Sequence, residues 1–119
     1  MKLTKTLLLV CAVCLASTSF AKTKTTPIVF AKGSSCGAFS GEPSGRVFTL
    51  FLLPKQTLEI SYDGVVSDII VKDPKGRTLT NYGAEVYAYE TTSKGKYSVK
   101  VISNKDEFVN LNFCAYSDN

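Results

Sequence analysis

The sequence predicts an all-β fold, a small antiparallel β-sandwich or flattened barrel of seven or eight strands with one disulfide. Three observations carry this expectation. Apolar and polar residues alternate with period two in several runs, as in Thr57–Tyr62 and Phe108–Tyr116. Strand signals recur every 10 to 15 residues, with turn chemistry such as Asp63-Gly64, Asp73-Pro-Lys-Gly76 and Lys94-Gly95 between them. No stretch has an amphipathic 3.6-residue period of useful length.

Residues 1–21 read as a secretory leader. Lys2 and Lys5 precede an apolar run from Leu7 to Leu15, which ends in the small-residue site Ser19-Phe20-Ala21. Cleavage there starts the mature chain near Lys22, leaving 98 of the 119 residues as one domain over 22–119, exported to the periplasm or beyond. The apolar run is too short to span a bilayer and nothing later is longer, so no membrane segment is expected. Cys11 and Cys14 lie inside the leader behind Val10 and Val13, where a lipid-modified cysteine would follow small residues.

Lys22–Thr26 is polar and should fray, with Pro27 opening a short extended run, Ile28–Ala31. Lys32–Arg46 holds four glycines, four serines and a proline, and reads as a shaped loop system rather than a regular element. Arg46–Leu53 is the most continuous apolar run of the mature chain and should be a central strand buried on both faces. Pro54-Lys-Gln56 ends it. Leu58, Ile60 and Tyr62 share one face of the next strand, and Asp63-Gly64 predicts a hairpin with Val65–Lys72 folded back on it. After an irregular Leu79–Gly83 comes a strand over Glu85–Thr91, and Tyr97, Val99 and Val101 then line one face of another. Ser103–Glu107 is a polar loop. In the last strand Val109, Leu111 and Phe113 point inward, which places Cys114 on the outer face and any bridge at the rim.

Without the leader only Cys36 and Cys114 remain, an even pair in an exported chain, which favours a disulfide. For a bridge closing a loop of this length the chain-entropy model gives roughly 4.5 kcal/mol.

The chain has no histidine, which removes a Ser-His-Asp triad and histidine-ligated zinc. Catalytic residues, metal and cofactors are therefore not expected. The acidic pairs Asp63 and Asp68, or Asp106 and Glu107, sit at turns near lysines, as solvated surface does. The mature chain carries 12 basic against 10 acidic residues, a net of +2, with lysines dispersed, so nucleic acid is not an expected partner. Tyr82, Tyr87 and Tyr89 suggest either a carbohydrate platform or one aromatic row buried between sheets.

Val29-Phe-Ala-Lys-Gly-Ser-Ser35, then Phe39-Ser-Gly-Glu42 and Gly45, resembles the N-terminal signature of the periplasmic inhibitors of g-type lysozyme and their relatives against i-type lysozyme. Ser93-Lys-Gly-Lys-Tyr97, running into Val99 and Val101, is similar to the penultimate strand of that family. The resemblance implies a non-catalytic exported sandwich whose loops enter a lysozyme cleft. It assigns contacts to Ser40, Gly41, Glu42 and Arg46, and to Ser103, Asn104 and Lys105 in the loop before the last strand. Arg46 stands where the g-type inhibitors have a tyrosine. A cleft carboxylic acid would pair with a rigidly presented Arg or Lys. Two alternatives stay open: a non-catalytic module binding carbohydrate or cell-surface components, and a hydrolase. The sequence also leaves open a homodimer.

Overall fold

A computed structural model describes residues 23–103 and 107–117, and among them there is no helix. The expected leader 1–21 and its expected cleavage site near Lys22 lie outside the described residues. Eight strands form: β1 (Lys24–Pro27), β2 (Cys36–Gly41), β3 (Arg46–Leu52), β4 (Gln56–Asp63), β5 (Asp68–Lys72), β6 (Tyr87–Glu90), β7 (Gly95–Ile102) and β8 (Val109–Ser117). One sheet has the order β1-β3-β7-β5 and the other β2-β8-β4-β6. Odd strands make one sheet and even strands the other, so every connection crosses the sandwich. All pairings are antiparallel except β1 with β3.

Period-two patterning fills the space between the sheets. Phe48, Leu50, Leu52, Val71, Tyr97 and Val99 come from the first sheet, and Leu58, Ile60, Tyr89, Val109, Leu111 and Phe113 from the second. Phe48 and Phe113 meet at 5.5 Å between ring centroids, tying the sheets at their middle.

Several expectations change. Lys24–Pro27 is a strand rather than a fraying end, because the free edge of β3 offers it a parallel partner; Pro27 is tolerated at the end of this edge strand. Ile28 N donates to Thr49 O at 2.8 Å, but Ile28–Ala31 leaves the ladder, and Ile28 and Phe30 pack into the core. The Gly/Ser stretch contains a regular element after all, since Cys36–Gly41 pairs with β8. An edge strand can be this glycine-rich where a neighbouring segment fills the space its side chains would take. An added Cβ at Gly37 would stand 2.8 Å from Ile28 Cγ2 and 3.0 Å from Val29 O.

β3 is central, between β1 and β7, but only one of its faces is buried; Phe51 is 65% exposed opposite Lys96. Asp63-Gly64 does not close a hairpin, since β4 pairs with β6 and β8 while β5 pairs with β7 in the other sheet. The turn reverses the chain and carries it across the core, burying Ile69 and Val71 as well as Leu58 and Ile60.

Cys36 lies directly opposite Cys114 in the β2–β8 ladder, and the two form a disulfide. Cys114 shares the outer face with Asn112, whose Nδ2 lies 3.2 Å from its Sγ.

Candidate functional site

Register brings three connections to one end of the sandwich. Gly41 pairs with Val109 and Asp63 with Asn110, so the β2–β3, β4–β5 and β7–β8 connections emerge side by side. Lys24, opposite Arg46, begins β1 at the same end. The two segments that the family resemblance implicates therefore flank one surface.

Ser40 is exposed on the outer face of β2, and its Oγ donates to Asn110 Oδ1 at 2.6 Å. Ser40, Asn110 and Asp63 form one cross-strand row and Ala38, Asn112 and Ser61 the next. With Tyr62 these small polar residues line a shallow concavity of about 380 Å³. Glu42 is exposed, and the adjoining Pro43 is fully buried and anchors the turn.

Arg46 is turned toward the scaffold. Its Nε donates to Glu42 O at 2.9 Å and its Nη1 to Thr26 Oγ1 at 3.0 Å, while the guanidinium carbon lies 4.9 Å from the Phe39 ring centroid. Three attachments fix the shape of the 42–45 turn and join β1 to it. Ser103 Oγ donates to Val65 O at 2.9 Å, tying the β7–β8 connection to the β4–β5 connection. Asn104 and Lys105 lie outside the described residues.

Sequence reasoning passed over Phe108 and Val65, which are 64% and 46% exposed at this end. The Phe108 carbonyl would stand 3.3 Å from a Cβ added at Gly64, so the Phe108 backbone passes close beside the Gly64-Val65 turn. A signal existed: Phe108 is out of step with the inward parity of Val109, Leu111 and Phe113. A large aromatic placed outward beside a polar loop has no core to serve.

Tyr87 and Tyr89 make no outer platform. Tyr89 is buried between the sheets, its hydroxyl donating to Ile69 O at 3.0 Å, and burial pushes its phenol well above the usual range. Tyr87 packs against the core and its ring lies 6.3 Å from Tyr62, with desolvation raising its phenol too. No cluster of His, Cys, Asp or Glu among the described residues is arranged to hold a metal ion.

No protein-family model matches the chain, and no curated protein matches it in sequence. Solved structures do match in fold. A mutant of PliG from Escherichia coli, a periplasmic inhibitor of g-type lysozyme, superposes with a TM-score of 0.61 and 22% identity, over 80% of this chain and 99% of that one. PliG of Salmonella Typhimurium, also a periplasmic g-type lysozyme inhibitor, gives a TM-score of 0.59 and 20% identity, over 77% and 97%. PliG of Aeromonas hydrophila, an inhibitor of the same kind, gives 0.55 and 22%, over 79% and 97%. At these identities the likeness is one of fold, and it spans nearly the whole of each inhibitor.

Proposed function

We propose that this chain, after losing its leader 1–21, is a periplasmic, non-catalytic inhibitor of g-type lysozyme that acts through the end of the sandwich bearing the β2–β3, β4–β5 and β7–β8 connections. The observation that carries the reading is the fold shared with three g-type lysozyme inhibitors over 97% or more of their lengths.

The chemistry of that end suits a saccharide cleft. Phe108 supplies an aromatic anchor, the kind of side chain that dominates contact energy when it fills a pocket, and Val65 adds apolar surface beside it. Ser40 and Asn110 offer hydroxyl and carboxamide groups in place of sugar hydrogen bonds. Lys105 is the cation assigned to the cleft carboxylate, and a charge-assisted bond there would occupy the lysozyme's essential acid. Arg46 acts mainly by holding the 42–45 turn in shape, since its guanidinium is committed to Glu42, Thr26 and Phe39. Gly41, Glu42 and Ser103 complete the rim, and the family resemblance adds Asn104 to the contacts.

The test is clearance of cell-wall suspensions by g-, i- and c-type lysozymes with the mature protein added. Inhibition of the g-type enzyme is expected. If only the i-type is inhibited, the lysozyme class changes; if none is inhibited while the protein is retained on peptidoglycan, the chain is a carbohydrate-binding module and the reading fails. Lys105→Ala should weaken inhibition by about 2–5 kcal/mol if its partner is buried and left unpaired. Phe108→Ala should cost about 2 kcal/mol or more as an anchor, and Ser40→Ala about 1–3 kcal/mol if an acceptor loses its only donor.

A further inference from the structure

We propose that the Cys36–Cys114 disulfide is a redox-sensitive pin, holding edge strand β2 against β8 so that reduction releases this strand while the rest of the sandwich stays folded. Besides its ladder, the strand is held by one aromatic contact, Phe39 on Phe48 at 4.9 Å between ring centroids, and by the Ser40–Asn110 bond. It pairs with β8 alone. Its inward positions are Gly37, Phe39 and Gly41, so two of the three contribute no side chain to the core, and Phe39 is only half-buried. Gly37 cannot be replaced by an apolar anchor, because Ile28 and the Val29 carbonyl occupy the space. β4, on the opposite side of β8, buries Leu58 and Ile60 completely.

The bridge is open to attack from one side. Cys114 is 6% exposed, whereas Cys36, at the first position of the ladder, is partly exposed. A thiolate of a dithiol reductant therefore attacks Cys36 Sγ, the S–S bond breaks, and Cys114 leaves as a thiolate beside Asn112 Nδ2, a donor 3.2 Å away. The second thiol of the reductant then attacks its own sulfur in the mixed disulfide and expels the Cys36 thiolate. The reductant is oxidised to a disulfide, two electrons pass to the chain, and both thiolates take up protons. Once β2 is free, Ser40 loses Asn110 and the 42–45 turn loses its base. On the function proposed above, inhibition would become conditional on an oxidising compartment.

Native-state hydrogen exchange of the mature protein, oxidised and then treated with a dithiol, tests the pin without using any lysozyme. On reduction, the paired amides in Cys36–Gly41 should lose protection to near the level of an unstructured chain, while those of β3, β4 and β7, lowered by the lost loop constraint, stay on the order of a hundredfold or more above that level. Collapse of all strands to the same unprotected level would make the bridge a staple of the whole chain and overturn the proposal, as would unchanged protection in β2. A Cys36→Ala/Cys114→Ala variant should show the reduced pattern; if it fails to fold, the bridge is such a staple. Lysozyme inhibition measured alongside separates the two claims: loss on reduction is expected, whereas an oxidised protein that inhibits nothing defeats the functional reading and leaves the exchange result to decide the pin.

Discussion

The two ends of the sandwich differ in what they leave exposed. At the end remote from the candidate site, turns are tied down by buried side chains. Thr91 Oγ1 donates to Leu53 O at 2.6 Å and accepts from Gln56 N at 2.9 Å, beside Lys55, which is held at φ 61°. Asp73 accepts from the backbone of Lys75 and Arg77 and from Arg77 Nε at 3.0 Å. The buried Tyr97 hydroxyl donates to Ser93 O at 2.6 Å. Pro74 packs so closely on Gly95, at φ 152°, that a Cβ there would come within 2.7 Å of its ring. At the other end Phe108, Val65, Tyr62 and Ser40 face solvent. Turns are tied down at both ends, but only the second leaves large apolar and polar groups together on an exposed surface.

Substitutions can break this division. The largest expected effect on folding is at the remote end: Thr91→Val leaves the Leu53 carbonyl and the Gln56 amide without their partner and should cost about 1–3 kcal/mol in urea unfolding, with inhibition unchanged for the folded fraction. A loss of inhibition without a loss of stability would show that the ends are coupled.

A smaller, pH-dependent effect belongs to Asp73. Backbone donation from Arg77, aided by its guanidinium and by Lys75, holds this carboxyl below the usual carboxylate range. In the folded protein Asp73 stays ionised at pH values where the unfolded chain already takes up a proton. Its contribution is therefore full at neutral pH and is lost as pH falls through about 4 and below. Asp73→Asn should lower Tm at pH 7, and the gap from the wild type should close on acidification; a gap constant with pH would refute the linkage.

The smallest effect on stability is expected at the candidate site. Phe108→Ala should change unfolding free energy by no more than about 0.5 kcal/mol, because the ring covers little core, while weakening inhibition as above. A large destabilisation would make Phe108 a structural residue.

Much of this was legible beforehand. Strand parity in β4, β7 and β8 grouped Leu58, Ile60, Tyr97, Val99, Val101, Val109, Leu111 and Phe113 on single faces, and all are buried, whereas Tyr62, placed on the face of Leu58 and Ile60, is 41% exposed at the end of β4. The cysteine pairing also followed from the count once the leader was set aside. The family resemblance led to the fold that the structure matches. Asp63-Gly64 misled because local turn chemistry reports that the chain reverses and says nothing about which sheet receives the next strand. Phe51 misled because a continuous apolar run looks the same whether its second face is covered or bare.

By itself, the sequence determined the all-β class, the inward-facing residues and the paired cysteines, since period-two alternation and compartment act through neighbours along the chain. Tertiary structure decided the alternation of strands between two sheets, the ordering of the glycine-rich β2, the inward turn of Arg46 and the exposure of Phe108. Each depends on contacts between residues far apart in the chain: Gly37 beneath Ile28, Arg46 on Thr26 and Phe39, Gly64 beside Phe108. The free energy of such contacts exists only once the two sheets have closed on one core.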